Sequence, residues 1–248
     1  MLESAFDEYV SNYDMNDKNI KLKYNHSYRV RDLQEKYAKM LNWNEEDIEL
    51  AKIIGLLHDI GRFEQLKVYH TYDDTKSIDH ADYSVVQLFD KGEIKKFCTN
   101  EKWYPTIRFA IKNHNKYQIE ECNDEKILKH AKLIRDTDKI DILYLMGTLK
   151  ETGKVIDDSD ISKEVLDMIL KNLTVPKKSM KTKNDGFVNK LAFAYDIYND
   201  CTLEELQNDM KAFYNDLKDN KELLPIYNEV NRYIDERKSK NGRTREEI

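Results

Sequence analysis

The sequence is poor in the residues that interrupt helices. Its 248 residues include only 7 glycines and 3 prolines. Strand ends and tight turns draw heavily on both residue types, so their scarcity argues against a β-sandwich or an α/β sheet. We therefore expect an all-α fold. The hydrophobic content of 40% is enough to fill a sizeable core.

Cysteine and long apolar runs are scarce as well. The three cysteines, Cys98, Cys122 and Cys201, are far apart and form no CxxC pair. This pattern suggests neither a disulfide framework nor a structural zinc cluster. The beginning of the sequence lacks a basic segment followed by an apolar one, and no apolar run approaches 18 residues. We expect a reduced, cytoplasmic protein that does not associate with membranes.

The sequence also lacks an excess of positive charge. It has 41 Lys and Arg against 47 Asp and Glu, a net charge of −6. Nucleic-acid-binding proteins are usually basic, so no nucleic-acid polymer is expected as a partner. A small phosphorylated substrate stays compatible with this charge, because a bound metal can dominate the local field. A homo-oligomeric state is left open.

Hydrophobic periodicity predicts a series of helices. They cover about residues 3–13, 24–42, 45–65, 79–90, 105–115, 124–150, 187–199, 202–218 and 221–238. We assign 1–173 to one helical domain, 174–185 to a linker and 186–248 to a C-terminal extension that packs on or covers the core. Asp79 is the expected N-cap of its helix, and Thr202 with Glu205 is expected to form a capping box.

Several ionisable residues fall on the apolar faces of these helices. His58 and Asp59 follow the apolar run 53–57, and Asp138 lies within the apolar stripe of its helix. His130, in contrast, lies off that stripe. The inward-facing set comes from five helices: His26, His58, Asp59, His80, His114 and Asp138. A buried carboxylate is costly unless something neutralises it.

Each of these residues alone has an ordinary structural explanation. A single inward histidine is more often a hydrogen-bonded core residue, and Asp138 could pair with Arg135 or Lys139. Four imidazoles and two carboxylates cannot satisfy one another cheaply, whereas divalent cations would neutralise the acids and accept the neutral imidazoles as donors. We therefore expect a metal site. A structural protein with internal hydrogen-bond networks is the alternative.

The segments that carry these residues resemble, in order, the motifs of HD-domain metal-dependent phosphohydrolases. They are NHSYRV (25–30), LLHDIGR (56–62), DHADYS (79–84), NHN (113–115) and DTDKID (136–141). The resemblance covers about residues 20–150 and implies an all-α, HD-domain-like helical bundle, to which the chain adds C-terminal helices.

The resemblance also implies a ligand set. His26, His58, Asp59 and Asp138 match the core metal ligands, with Asp59 as the bridging carboxylate. His80 and His114 match the extra histidines of binuclear members, so two divalent ions are expected, of Mn, Fe, Ni, Mg, Co or Zn. Asp136 and Asp141 lie near Asp138 in the sequence. Helix phase favours Asp138, because Asp136 lies about 200° away around the helix.

The implied activity is hydrolysis of a small phosphomonoester or phosphodiester, with nucleotides among the candidates, by a hydroxide between the two metals. Asp59 would be central to catalysis. Arg62, one turn after His58, is expected to bind the substrate phosphate, although a salt bridge with Glu64 or Asp59 is an equal alternative. Lys116 and Arg135 are further candidates for phosphate binding.

Other functions fit parts of the same pattern. A di-iron oxygenase of the same superfamily would use the same ligands, and a non-catalytic module could bind a nucleotide or a metal. Cyclic-dinucleotide phosphodiesterases carry a GYP element that is absent after the segment HDIGRFEQL. The HD-x-x-E-D motif of guanosine-tetraphosphate hydrolases is absent as well, since Arg62 and Phe63 occupy its acidic positions.

Overall fold

The computed structural model describes residues 2–149 and 156–246. Within these residues all regular structure is helical and no strand occurs, so the all-α prediction is confirmed. None of the helices described is both long and apolar enough to cross a membrane. The chain divides into two compact units, Met1–Asp138 and Lys139–Ile248.

The first unit holds seven complete helices and the first part of an eighth. They are α1 (Leu2–Val10), α2 (Lys18–Met40), α3 (Glu45–Leu57), α4 (Gly61–Tyr69), α5 (His80–Val85), α6 (Ile94–Phe97), α7 (Tyr104–Asn113) and α8 (Glu125–Leu149). A π-helical turn, Val86–Asp90, continues α5. Asp79 caps α5 as predicted, accepting hydrogen bonds from the backbone N–H of Ala81 and Asp82.

Close packing of α2 on α3 forms the centre of the first unit. A Cβ on Gly55 would lie 2.8 Å from Cγ of Gln34 and 2.9 Å from Cα of Arg31, so only glycine permits this approach. Around this contact the apolar side chains form one continuous core, which includes Ile54 and Phe63, both fully buried. Burying a side chain of this size stabilises the fold by roughly 1.5–3 kcal/mol. The core fixes the relative positions of α2 and α3.

The predicted helix over 45–65 is two helices in the structure. α3 ends at Leu57, a short turn covers 58–60, and α4 begins at Gly61. The imidazole of His58 closes the end of α3, because its Nδ1 donates to the carbonyl of Gly55 at 2.8 Å. Ile60 and Phe63 continue the apolar spacing beyond His58 and Asp59, so the periodicity carries no signal for such a break.

Among its described residues, the second unit contains the end of α8 and five further α-helices. They are α9 (Lys163–Ile169), α10 (Lys183–Leu191), α11 (Leu203–Met210), α12 (Tyr214–Leu217) and α13 (Leu223–Glu246). The boundary between the units lies inside α8, whereas we predicted it near 173 and a linker over 174–185. That stretch contains a 3-10 turn and the start of α10. The assignment of separate domains stays a prediction.

The capping box of the second unit lies in the segment predicted as a linker. The hydroxyl of Thr182 accepts from the backbone N–H of Asp185, and the Asp185 carboxylate accepts from the N–H of Thr182. The prediction of a capping box at Thr202 and Glu205 is wrong. Thr202 has helical dihedral angles, and its hydroxyl donates to the carbonyl of Asn199 instead of accepting from the helix.

Candidate metal centre

The six residues predicted as ligands converge within the first unit. His26 lies in α2, His58 at the end of α3 and Asp59 in the following turn. His80 is the first residue of α5, His114 follows the last residue of α7, and Asp138 lies in α8. All are buried except Asp138, whose side chain is 15% exposed. They form three overlapping groups, in each of which the potential ligand atoms lie within 4.8 Å of one another.

Asp59 presents one carboxylate oxygen to each of two histidine pairs. Its Oδ2 lies 3.5 Å from Nε2 of His26 and 3.7 Å from Nε2 of His58. Its Oδ1 lies 3.5 Å from Nε2 of His80 and 3.6 Å from Nε2 of His114. Asp138 joins the first pair, with Oδ1 at 3.2 Å from Nε2 of His26. The centre therefore has two halves that share Asp59.

The second pair of histidines presents two lone pairs to the same space. Nδ1 of His114 donates to the carbonyl of Ile111 at 2.7 Å, and Nδ1 of His80 donates to the carboxylate of Asp74 at 2.6 Å. In the tautomer that carries its proton on Nδ1, each imidazole leaves its Nε2 atom as an acceptor. These two acceptors lie 3.1 Å apart. A cation between them would satisfy both.

The charge states of the acids and of the histidines also favour a bound cation. Burial alone would raise the pKa of Asp59, but the Lys23 ammonium holds it well below its usual range. The Oδ1 atom of Asp59 is buried and accepts no hydrogen bond. Burial also lowers the pKa of His58, and lowers that of His80 to about 4, so both rings are neutral at pH 7. Neutral imidazoles and ionised carboxylates are the donors that divalent transition metals prefer, so these residues fit such ions.

Lys23 is a functional candidate that sequence reasoning missed. Its Nζ donates to Oδ2 of Asp59 at 2.6 Å, and its side chain is only 14% exposed. Lys23 lies one helical turn before His26, so the spacing could have placed both on one face of α2. The reach of the lysine side chain to Asp59 has no signature in the sequence.

Arg62 lies near the centre, but its guanidinium is engaged by protein groups. Nη1 donates to Oδ1 of Asp74 at 2.8 Å, to the carbonyl of Tyr72 at 2.7 Å and to Gln65. Its Nε lies 3.6 Å from Oδ1 of Asp59. Of the two predicted salt-bridge partners, Asp59 is therefore within reach. This geometry favours a role in holding Asp74 over direct binding of phosphate.

The other two residues predicted to bind substrate also have protein partners. Lys116 pairs with Asp79 at 3.1 Å and with Asp82 at 2.9 Å. Arg135 is 2% exposed, and its guanidinium donates to backbone carbonyls, among them that of Asn113 at 2.9 Å and that of Lys116 at 2.5 Å. Arg135 thereby fixes the turn that carries His114. The charge of Arg135 is visible in the sequence, but the direction of its side chain is not.

His130 belongs to a separate buried cluster. It was predicted to lie off the apolar stripe, yet it is fully buried and its Nε2 lies 3.2 Å from Oδ1 of Asp47. Lys129 also binds Asp47, at 2.5 Å, and lies over the ring of Trp43. This cluster joins the start of α3 to α8. It needs no cation, because Lys129 already neutralises the carboxylate.

The fold and the centre define an all-α protein with a buried His/Asp site suited to divalent cations. Compared with protein-family models, residues 24–143 match the HD domain. All six predicted ligands lie within this matched segment. The members of this family are mostly metal-dependent phosphohydrolases. Neither a curated protein nor a solved structure matched the chain.

Proposed function

We propose that the protein hydrolyses a phosphate ester of a small molecule, using two divalent cations held by the six His and Asp residues. One observation carries the proposal: Asp59 directs one oxygen towards each of two pairs of histidine Nε2 atoms. A carboxylate in this position is suited to bridging two cations. A single-cation site would leave the second pair of lone pairs and Oδ1 of Asp59 without a partner.

When bound, such a pair of cations supplies a water of lowered pKa and neutralises charge on the phosphoryl oxygens. The chain's own residues would do the rest. Asp59 holds the two halves in register, and Asp138 completes the half formed by His26 and His58. Arg62 would position Asp74, to which its Nη1 donates a hydrogen bond.

We assign the binding of a substrate phosphoryl oxygen to Lys23 in place of Arg62. The Lys23 ammonium already lies against Oδ2 of Asp59 and is partly exposed, so a phosphate that reaches the centre would meet it. A lysine presents a compact charge that interacts strongly with phosphate oxygens. The ring of Tyr72 lies beside the charged groups of both basic residues, with its centre 6.0 Å from Nζ of Lys23 and 5.5 Å from Cζ of Arg62.

The test is phosphate release from a panel of nucleotides, sugar phosphates and cyclic phosphodiesters, with Mn²⁺ or another divalent ion supplied. We expect the wild-type protein to hydrolyse at least one class and Asp59→Asn to lose the activity. Asp47→Asn is the matched control, because Asp47 is equally buried and also faces a histidine, but lies in the His130 cluster. Its activity per folded molecule should be retained.

Three outcomes would contradict the proposal. The first is no hydrolysis of any ester in the panel, and the second is equal loss of activity in both variants. The third is O₂ consumption by the iron-loaded protein without phosphate release, which would identify an oxygenase.

A further inference from the structure

The outer ring nitrogen of His80, which is Nδ1, is held in a different way from Nδ1 of His58 and of His114. His58 and His114 each donate from Nδ1 to a carbonyl three residues earlier in the chain, Gly55 and Ile111. His80 is the first residue of α5 and so has no preceding helical turn to supply a carbonyl. Its Nδ1 donates to Oδ2 of Asp74 at 2.6 Å instead. The orientation of its ring therefore depends on the loop before α5.

Asp74 is itself held by two residues of α4. Its Oδ1 accepts from Nη1 of Arg62 at 2.8 Å and from Nε2 of Gln65 at 3.1 Å. The same amide of Gln65 donates to Oγ of Ser77 and to the carbonyl of Ile78. Asp74 is only 10% exposed, and Gln65 is fully buried. The loop is thus attached to α4 at several points, and the carboxylate has a fixed direction.

A carboxylate on the outer nitrogen of a histidine fixes its tautomer and makes its other nitrogen a stronger donor towards a cation. Of the two halves of the centre, the one formed by His80, His114 and Oδ1 of Asp59 has this support from Asp74. The half formed by His26, His58 and Asp138 lies against Oδ2 of Asp59. A change at Asp74 should therefore affect one half and spare the other.

We propose that Asp74, fixed by Arg62 and Gln65, is a positioning residue that determines whether the half formed by His80 and His114 holds a cation. The inference rests on the two-cation centre of the proposed function. It makes the loop between α4 and α5 the element that decides between one and two bound ions. Arg62 then acts through Asp74, which explains why its guanidinium faces the loop.

The experiment is a Mn²⁺ titration of the full chain, followed by calorimetry and by electron paramagnetic resonance, which detects a coupled pair of ions. We expect the wild-type protein to bind two ions with a coupled signal. Asp74→Asn should weaken one of the two by about 10–100-fold, leave the other within about twofold and remove the coupled signal. Asp73→Asn is the matched control, because this neighbouring acid caps Thr75 and should leave both affinities unchanged.

Two further variants make the assignment specific. Asp74→Glu keeps the charge, so it should fold even where Asp74→Asn does not, and its effect should lie between those of the wild type and Asp74→Asn. In a His26→Gln background, which damages the other half, adding Asp74→Asn should remove the remaining tight ion. A double variant that still binds this ion with the affinity of His26→Gln alone would overturn the proposal.

The remaining outcomes are equally decisive. If Asp74→Asn weakens both ions to the same extent, Asp74 has only a general structural role and the proposal fails. It also fails if the wild-type protein binds a single ion. If two ions bind and respond as expected but no phosphate ester is hydrolysed, the proposed function fails while this inference stands, because its readout is metal binding alone.

Discussion

Gly61 lies where α4 touches α5, and replacing it with alanine should affect both stability and the centre. An added Cβ would lie 2.5 Å from the backbone nitrogen of Ser84 and 2.9 Å from its Oγ. The backbone N–H of Gly61 also donates to Oγ of Ser84, whose hydroxyl in turn donates to the carbonyl of His80. The contact thus connects the turn that carries Asp59 with the helix that begins at His80.

The size of the effect follows from these distances. Ordinary contact begins at 3.4 Å, so relieving the overlap requires the two backbones to separate by about 0.9 Å (3.4 minus 2.5 Å). Overpacking of this kind costs about 1–3 kcal/mol, partly offset by up to 1 kcal/mol because alanine favours helix more than glycine does. A shift approaching an ångström between Asp59 and His80 exceeds the roughly 0.2 Å that metal–ligand distances tolerate.

Urea unfolding and a Mn²⁺ titration test this reasoning. For Gly61→Ala we expect a net loss of about 1–2 kcal/mol in the free energy of unfolding and weaker binding of one Mn²⁺. The matched control is Gly186→Ala in α10, where an added Cβ meets no atom within 4 Å, so stability should rise by up to about 1 kcal/mol. A Gly61→Ala protein as stable as the wild type, with unchanged Mn²⁺ binding, would refute the argument.

Three other changes have defined outcomes. Lys23→Met should raise KM for the substrate about tenfold or more without loss of Mn²⁺ binding, because a charge-assisted hydrogen bond contributes about 1.5–3 kcal/mol. Lys21→Met, at an exposed position, should have no effect on KM. Equal KM values in the two variants would contradict the assignment of Lys23. Burial lowers the pKa of His130 from 6.5 to about 4, so between pH 7 and pH 5 the unfolded chain binds a proton that the folded chain does not. The free energy of unfolding of the wild type should therefore fall by about 2 kcal/mol over this range, and that of His130→Gln should not fall by this amount. Parallel curves of stability against pH for the two proteins would refute the lowered pKa. Thr182→Ala should cost about 1 kcal/mol by thermal unfolding and Thr182→Ser much less, and an equal loss in both would show that the cap is not the cause.

Helical periodicity predicted much of this molecule from the sequence. The inward direction of residues such as His26, His114 and Asp138 followed from it, because side chains at steps of three and four share a face. These residues were found without any knowledge of what they contact. The fold class followed from the scarcity of glycine and proline. The burial of His58 and Asp59 followed from the apolar run before them.

Features that depend on reach or on local closure were not predictable in this way. Apolar residues continue at helical spacing on both sides of the break after Leu57, so the periodicity passes through it unchanged. Asp74 is one of several acids in the loop before α5, and only its contact with His80 distinguishes it. Lys23 and Arg62 were visible as charges, but long side chains can turn in many directions, and the sequence does not specify which neighbour they meet.

The two halves of the centre differ in how they are built, and this difference suggests how they fill. His26 lies in α2 and His58 directly follows α3, and these two helices pack at backbone distance around Gly55 and belong to the core. His80 depends on a loop residue for its orientation. Regions that rest on loops open at lower free energy than core helices. The half formed by His26 and His58 should therefore be the more rigid site and bind its cation first. The other half shares Asp59 but is complete only when the loop that carries Asp74 is in place.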